Sequence, residues 1–235
     1  MPPLSRRSLL VVTALAVTPL TMFVTACGSD SATSPKSTPS VDTVAFGPNN
    51  FTVDQYYVDS SQTPPAYEYE LYNWDNAYVE VENWNTNYWD DDRMLLWASL
   101  PVLAGRGVVD SAKVYEYQCD WYGSPFTNSA VVLDHVNWGA VIHDSAAFSV
   151  ALQDSIGTVS SDTTTGWRSV NVTSAVQADY AAKRSMTQFR MRLSTQAYSL
   201  NMDNWVEFDN GQDDSDCNNN ADQGAGVGYA VIWSH

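Results

Sequence analysis

The sequence predicts an all-β protein, built as a single jelly-roll-like antiparallel β-sandwich with one short helix. Three observations carry this prediction: short runs that alternate apolar and polar residues, turn-forming residues between the runs, and very little helical spacing. Alternation with a period of two is typical of strands that bury one face. Many short strands with scarcely a helix favour a sandwich.

Six runs are predicted to be strands. Four of them alternate with a period of two, and two are more continuously apolar, as expected of more deeply buried strands. In chain order the runs cover residues 67–72, 78–82, 113–119, 130–136, 188–193 and 227–233. Helical spacing is confined to residues 174–183, where Val176 and Tyr180 lie four positions apart on one face.

The N-terminus is predicted to direct export and lipid anchoring. Residues 1–26 have a short basic region and an apolar run that is too short for a comfortable membrane span, so they are set apart from the fold as a signal peptide. Val24-Thr25-Ala26-Cys27 resembles the bacterial lipobox, whose cysteine becomes the lipidated first residue of the mature chain; an ordinary cleaved signal is the alternative. Residues 27–44, rich in Ser, Thr and Pro, are predicted to form a flexible tether, and residues 45–235 the sandwich domain.

The composition indicates a folded and strongly acidic domain. The chain is 44% hydrophobic and 16% charged, which excludes a disordered protein. It contains 11 basic and 27 acidic residues, and removal of the signal takes away Arg6 and Arg7 but no acid, which leaves a net charge near −18. Such a surface repels nucleic acid and attracts cations, so nucleic acid is not expected as a partner.

The cysteine content fits an oxidising compartment. If Cys27 carries lipid, Cys119 and Cys217 remain, and we expect them to form a disulfide. Closing a loop of this length contributes about 4–5 kcal/mol to stability in the chain-entropy model. The alternative is two separate buried thiols.

An acid-rich segment, residues 209–226, precedes the last predicted strand and is predicted to be a long loop because it lacks apolar periodicity. Its oxygen-bearing side chains alternate in a way that suits calcium, which takes about 6–8 oxygen ligands. The candidate ligands are Asp213, Asp214, Asp216, Asn218, Asn220 and Asp222. The alternative is a solvated acidic loop held by Cys217. A second acidic cluster, Asp90-Asp91-Asp92, either contributes ligands or forms a solvated turn.

Aromatic residues point to a second kind of site. Sugars present C–H faces that stack on Trp and Tyr rings, while amide and acidic side chains bind the hydroxyl groups. Around residues 84–89 the rings have mainly asparagine neighbours, which indicates a loop or a sheet edge with exposed rings. The candidate platform residues are Trp74, Trp84, Tyr88 and Trp89, with a place in the core as the alternative. Trp97, Trp167 and Trp233, which lie in apolar or motif-like strands, are predicted to be core residues.

The sequence favours a protein that is not an enzyme. It contains no G-x-S-x-G elbow, no H-E-x-x-H motif, no P-loop and no dinucleotide-binding glycine pattern. A glycosidase needs only two carboxylates at a suitable distance, and 27 acids supply such a pair by chance. Acidic residues alone therefore carry no catalytic signal.

Several motifs resemble the DNRLRE-type domain of secreted and cell-surface proteins. They are RMLLW at 93–97 with LP at 100–101, VDSAKVY at 109–115, GWRSVNVT at 166–173, FRMRL at 189–193 and GYAVI at 228–232. The late S-R-E-like motif of that family is missing, and the acidic segment stands in its place. The resemblance implies a jelly-roll-like β-sandwich; some relatives are carbohydrate-binding modules, and others are adhesive or structural parts of surface proteins.

Together these observations predict an exported, non-catalytic binding protein that is held to the bacterial cell envelope by lipid. Its expected ligand is a neutral glycan, because a chain this acidic does not attract a polyuronate, and calcium is the expected cation. The alternative is a structural or protein-interaction subunit of an envelope assembly.

Overall fold

The computed structural model describes residues 39–46, 51–59, 61–62, 66–72, 77–85, 88–103, 107–143, 145–195, 202–209 and 228–235; for 51–57, 66–67, 72, 84–85 and 88 it describes only the backbone. The described part is mostly β, with antiparallel pairing throughout and one short α-helix, which confirms the predicted fold class. No helix within these ranges has the length and apolar character needed to cross a membrane.

Twelve strands are present among the described residues, with one α-helix and one turn of 3-10 helix at Ala146–Phe148. All six predicted strands and the predicted helix are found, each within a few residues of its expected bounds. In chain order the elements are β1 Ser40–Ala45, β2 Phe51–Asp59, β3 Ala66–Tyr72, β4 Ala77–Asn85, β5 Tyr88–Ser99, β6 Val109–Tyr122, β7 Val131–His135, β8 Gln153–Ser160, β9 Gly166–Asn171, α1 Thr173–Ala181, β10 Met186–Leu193, β11 Met202–Phe208 and β12 Tyr229–Ser234.

Two points differ from the sequence-based expectation. Ser40–Ala45 pairs with β12 as strand β1, so residues 40–44 of the predicted tether belong to the sheet. The predicted solvated turn at Asp90–Asp92 is wrong: all three residues are buried within β5, between β2 and β4. The pairing on both edges of β5 overrides the low strand propensity of aspartate.

The two longest strands, β5 and β6, organise the sheet. β5 pairs along one edge with β4 and then β10, and along its other edge with β2. β6 likewise pairs along one edge with β11 and then β12, and along its other edge with β9. Two strands that share one edge of a long strand diverge beyond it, and this makes the sheet bend and fold over.

The space enclosed by the folded sheet is filled by one main apolar cluster. Its largest side chains come from strands that are far apart in the chain, including Met94 and Leu96 of β5, Phe189 of β10, Phe208 of β11 and Ile232 of β12. Val172, Ala175 and Val176 bring the start of α1 into the same cluster. A smaller cluster lies on the other face of β5, where Leu95 packs near Trp138.

Candidate functional site

Strand β4 separates apolar from acidic side chains by simple alternation. Val79 and Val81 are fully buried in the main core. Glu80 and Glu82 therefore point to the opposite face, since successive side chains of a strand alternate. The strand predicted from the sequence at residues 78–82 already had its valines and glutamates at alternating positions, and therefore on opposite faces.

The neighbouring strands add more acids to the same face. Asp92 and Asp90 of β5 lie directly opposite Glu80 and Glu82, and Asp203 of β11 lies opposite Glu82 from the other side. Residues that lie directly opposite each other in an antiparallel pair share a face of the sheet. Three strands thus gather five carboxyl groups, which we call the acidic cluster.

Three members of the acidic cluster are arranged to share a cation. One carboxylate oxygen from each of Glu80, Glu82 and Asp90 lies within 4.8 Å of the other two. The three residues are partly withdrawn from water, and Glu82 and Asp90 are each 9% exposed. Oxygen ligands of a hard cation bind it at about 2.3–2.6 Å, so oxygens this close together can contact a single ion. The acidic cluster could therefore hold a metal.

The electrostatics of the acidic cluster oppose full ionisation. Burial, followed by the charges of Asp92 and Asp90, raises the pKa of Glu80 to about 9. Burial, followed by Asp90 and Asp203, raises the pKa of Glu82 to about 7. Burial also raises the pKa of Asp203. The group therefore needs protons or a cation to balance its charge.

Aromatic rings border the acidic cluster on β11. Trp205 lies opposite Glu80 in the sheet. Its ring meets Tyr78 edge-on with centroids 5.4 Å apart, and it stacks on Tyr122 with centroids 6.0 Å apart. Tyr122 is 54% exposed, so this edge of the site is open to solvent.

A second group of rings covers the face of β6 that points away from the core. Tyr115 stacks on Tyr229 at 4.8 Å, Tyr229 meets Trp167 at 5.4 Å, and Trp167 meets Tyr117 at 5.4 Å between centroids. We call these four residues the aromatic row. Trp167 is 43% exposed, so its predicted place in the core is wrong. In β9 it shares a face with exposed Ser169, while Val170 on the other face fills the core.

Polar side chains lie next to the aromatic row. Ser169 is opposite Tyr115, and Asn171 is opposite Lys113, so these groups share the face that carries the rings. Hydroxyl, amide and ammonium groups supply hydrogen-bond donors, and the first two also accept. The surface thus combines flat apolar faces with polar groups around them.

The structure places only part of the predicted platform. Trp89 is partly buried in β5, opposite Val58 of β2. Trp84 and Tyr88 lie in β4 and β5, but their side chains, and the whole of Trp74, are outside the described residues. The platform of Trp74, Trp84, Tyr88 and Trp89 stays a prediction.

The other predicted sites fall mainly in undescribed parts of the chain. Cys27 and the six predicted calcium ligands of the acid-rich segment lie outside the described residues. Cys119 is disulfide-bonded. Cys217, its expected partner, is also outside the described residues, so the pairing of these two cysteines stays a prediction.

No protein-family model matches the chain, and no curated protein matches it. The fold and the site define a mostly-β, antiparallel sheet protein with an acidic cluster that could hold a metal. The resemblance to the DNRLRE-type domain rests on the sequence motifs alone.

Proposed function

We propose that this protein is a non-catalytic binding module of the bacterial cell envelope, anchored by lipid at Cys27, that binds a neutral glycan through the aromatic row. The observation that carries the proposal is the partly exposed set of four rings centred on Trp167 and Tyr229. Large rings left in water cost hydrophobic free energy, and contiguous exposed aromatic surface commonly marks a binding site.

The chemistry around the rings suits a sugar. The C–H faces of a pyranose pack on Trp and Tyr, and its hydroxyl groups find partners in side chains such as Ser169 and Asn171. A net charge of −16 for the whole chain disfavours anionic polysaccharides. The motif resemblance to the DNRLRE-type domain supports the same function, because some of those domains are carbohydrate-binding modules.

We further propose calcium as the cation of the acidic cluster. Glu80, Glu82 and Asp90 offer only hard oxygen ligands, which calcium and magnesium prefer. Calcium tolerates irregular geometry and several carboxylates, whereas magnesium keeps several of its waters. An ion here would neutralise repulsion among buried acids of β4 and β5, and it would thus stabilise the hairpin that these strands form.

A glycan array tests the binding proposal. The soluble protein from Ser37 onward would be applied with calcium and with a chelator. We expect binding to a defined neutral glycan, and we expect Trp167→Ala to weaken it at least tenfold through loss of the stacking face. Tyr122→Ala is the matched control, because Tyr122 is also an exposed ring but lies on β6 outside the aromatic row.

Two results would contradict the glycan proposal. Loss of binding in Tyr122→Ala with Trp167→Ala unaffected would place the ligand on the rings beside Trp205. If no glycan on the array binds, either with calcium or with chelator, the glycan proposal is contradicted and a structural or protein-interaction subunit is favoured. Affinity capture from the native envelope would then identify its partner.

A further inference from the structure

Strands β11 and β12 pair with successive parts of the same edge of β6. Phe208 lies opposite Gln118, and the N–H of Asp209 donates to the carbonyl of Tyr117 at 2.9 Å. After the acid-rich segment, the pairing resumes with Tyr229 opposite Tyr115. The chain therefore leaves and rejoins β6 at one point, which we call the strand junction.

Glu116 lies at the strand junction with its side chain turned inward. It is 2% exposed, and neither carboxylate oxygen has a hydrogen-bond partner among the described residues. Its carboxylate packs directly on Gly228, the residue at which the chain returns: a Cβ added to that glycine would overlap both oxygens. The carboxylate is thus aimed at the place where the chain leaves and re-enters the sheet.

A buried carboxylate without partners is costly. Removing a charged group from water costs several kcal/mol unless a counter-charge or a proton compensates. The charge of Asp209, which is itself only 7% exposed, also acts on Glu116, and it has the same sign. Burial and then Asp209 raise the pKa of Glu116 well above its usual range. The unpartnered carboxylate of Glu116, with the added negative charge of Asp209, favours a cation at the strand junction.

We propose that Glu116 and Asp209 are ligands of a divalent cation, calcium by their chemistry, bound at the strand junction. Both supply carboxylate oxygens, and no histidine lies within this part of β6, β11 or β12 as described. A cation would compensate the buried charge of Glu116, whose oxygens have no hydrogen-bond partner among the described residues, and would join β11 to β12 across the point where their pairing is interrupted. This site is separate from the acidic cluster, which is formed by β4, the other end of β11 and β5.

Calcium titration of the soluble protein tests this assignment. Isothermal titration calorimetry gives the number of calcium ions bound, and thermal unfolding is followed with calcium and with chelator. We expect Glu116→Gln to bind one calcium ion fewer than the wild type and to lose part of the rise in Tm that calcium produces. In chelator its Tm should equal or exceed that of the wild type, because the substitution removes the cost of burying or protonating the carboxylate while keeping the shape of the side chain.

Two further variants make the outcome specific. Glu68→Gln changes an exposed acid on β3 and should leave stoichiometry and Tm unchanged. Glu82→Gln should affect binding at the acidic cluster and leave the strand-junction ion in place. The assignment is overturned if Glu116→Gln keeps the wild-type stoichiometry, if its Tm falls equally with and without calcium, or if the wild type binds no calcium. Glycan binding is not part of this test, so its failure is distinguishable from failure of the proposed function.

Discussion

Gly228 lies so close to the carboxylate of Glu116 that a Cβ added at position 228 would overlap both carboxylate oxygens unless the buried Glu116 side chain moved. We expect Gly228→Ala to destabilise the fold by about 1–3 kcal/mol, the usual cost of forcing extra volume into a packed site. Urea denaturation of Gly228→Ala, Glu116→Ala and the double variant measures this cost. The double variant should lose less than the sum of the single variants, because removal of the carboxylate makes space for the methyl group. Simple additivity would show that the two positions are not coupled.

The acidic cluster predicts a stability that falls as the pH rises. Burial, Asp92 and Asp90 hold the pKa of Glu80 at about 9, against 4.5 in the absence of these effects. Between these two values the folded protein keeps a proton that the unfolded chain releases, so the free energy of unfolding decreases with increasing pH. In chelator, Tm should decline from pH 5 to pH 9, and the decline should be smaller in Glu80→Gln. If Tm of the wild type and of Glu80→Gln depends on pH in the same way, Glu80 is not the source of the decline.

Calcium should stabilise the protein through the acidic cluster by mass action, since an ion that binds only the folded state raises Tm with concentration. In Glu82→Gln, at least a tenfold higher calcium concentration should be needed for the same rise in Tm, because one of the three clustered oxygen ligands loses its charge. In chelator the same substitution should raise Tm, since Glu82 then no longer repels Asp90. Differential scanning fluorimetry over a calcium series measures both effects. A calcium response that is the same in variant and wild type would contradict the assignment of calcium to these residues.

A buried ion network on β7 and β10 predicts a large effect of one substitution. Asp134 accepts hydrogen bonds at 2.8 Å from the Nε atoms of Arg190 and Arg192. Burial acts to raise the pKa of Asp134, but the hydrogen bonds from Arg192, from the Ser155 N–H and from Arg190 outweigh it and lower that pKa. Asp134→Asn should cost about 3–5 kcal/mol, because it leaves buried guanidinium charge uncompensated.

The neighbouring Asp154 supplies the control for this substitution. It pairs with Arg192 at 2.7 Å, but its side chain is 69% exposed. Asp154→Asn should therefore cost less than about 1 kcal/mol, as is usual for an exposed ion pair. Urea unfolding of the two variants compares them directly, and equal losses would show that burial of Asp134 does not matter.

The sequence pattern was sufficient for the elements whose two faces differ. In β4, Val79 and Val81 alternate with glutamates, and this parity identified a half-buried strand. Trp167 shows the limit of judging a residue by its motif. Trp167 and Ser169 are two positions apart and share one face of β9, whereas the core residue Val170 points to the other face. This alternation predicts that the ring of Trp167 lies outside the core.

The acidic cluster could not be predicted from one sequence. It requires Asp203 on β11 and Asp90 on β5 to lie on either side of Glu82, and the register between distant strands is not encoded in local periodicity. The row of three aspartates at 90–92 also contradicts strand propensity. Pairing with β2 on one edge and β4 on the other explains why these residues are in a strand.

The pairing of the first strand with the last has a consequence for how the chain acquires its structure. Ser40 lies opposite Ser234, so the β1–β12 ladder closes between residues from the two ends of the described chain. Such a pairing gives the fold a high contact order, and its loop-closure entropy must be met before the ladder contributes any stability. A nascent chain that lacks Tyr229–Ser234 cannot complete this sheet. The sheet can therefore be completed only after β12 has been synthesised, and folding of such a topology is expected to be slow, on the order of milliseconds to seconds.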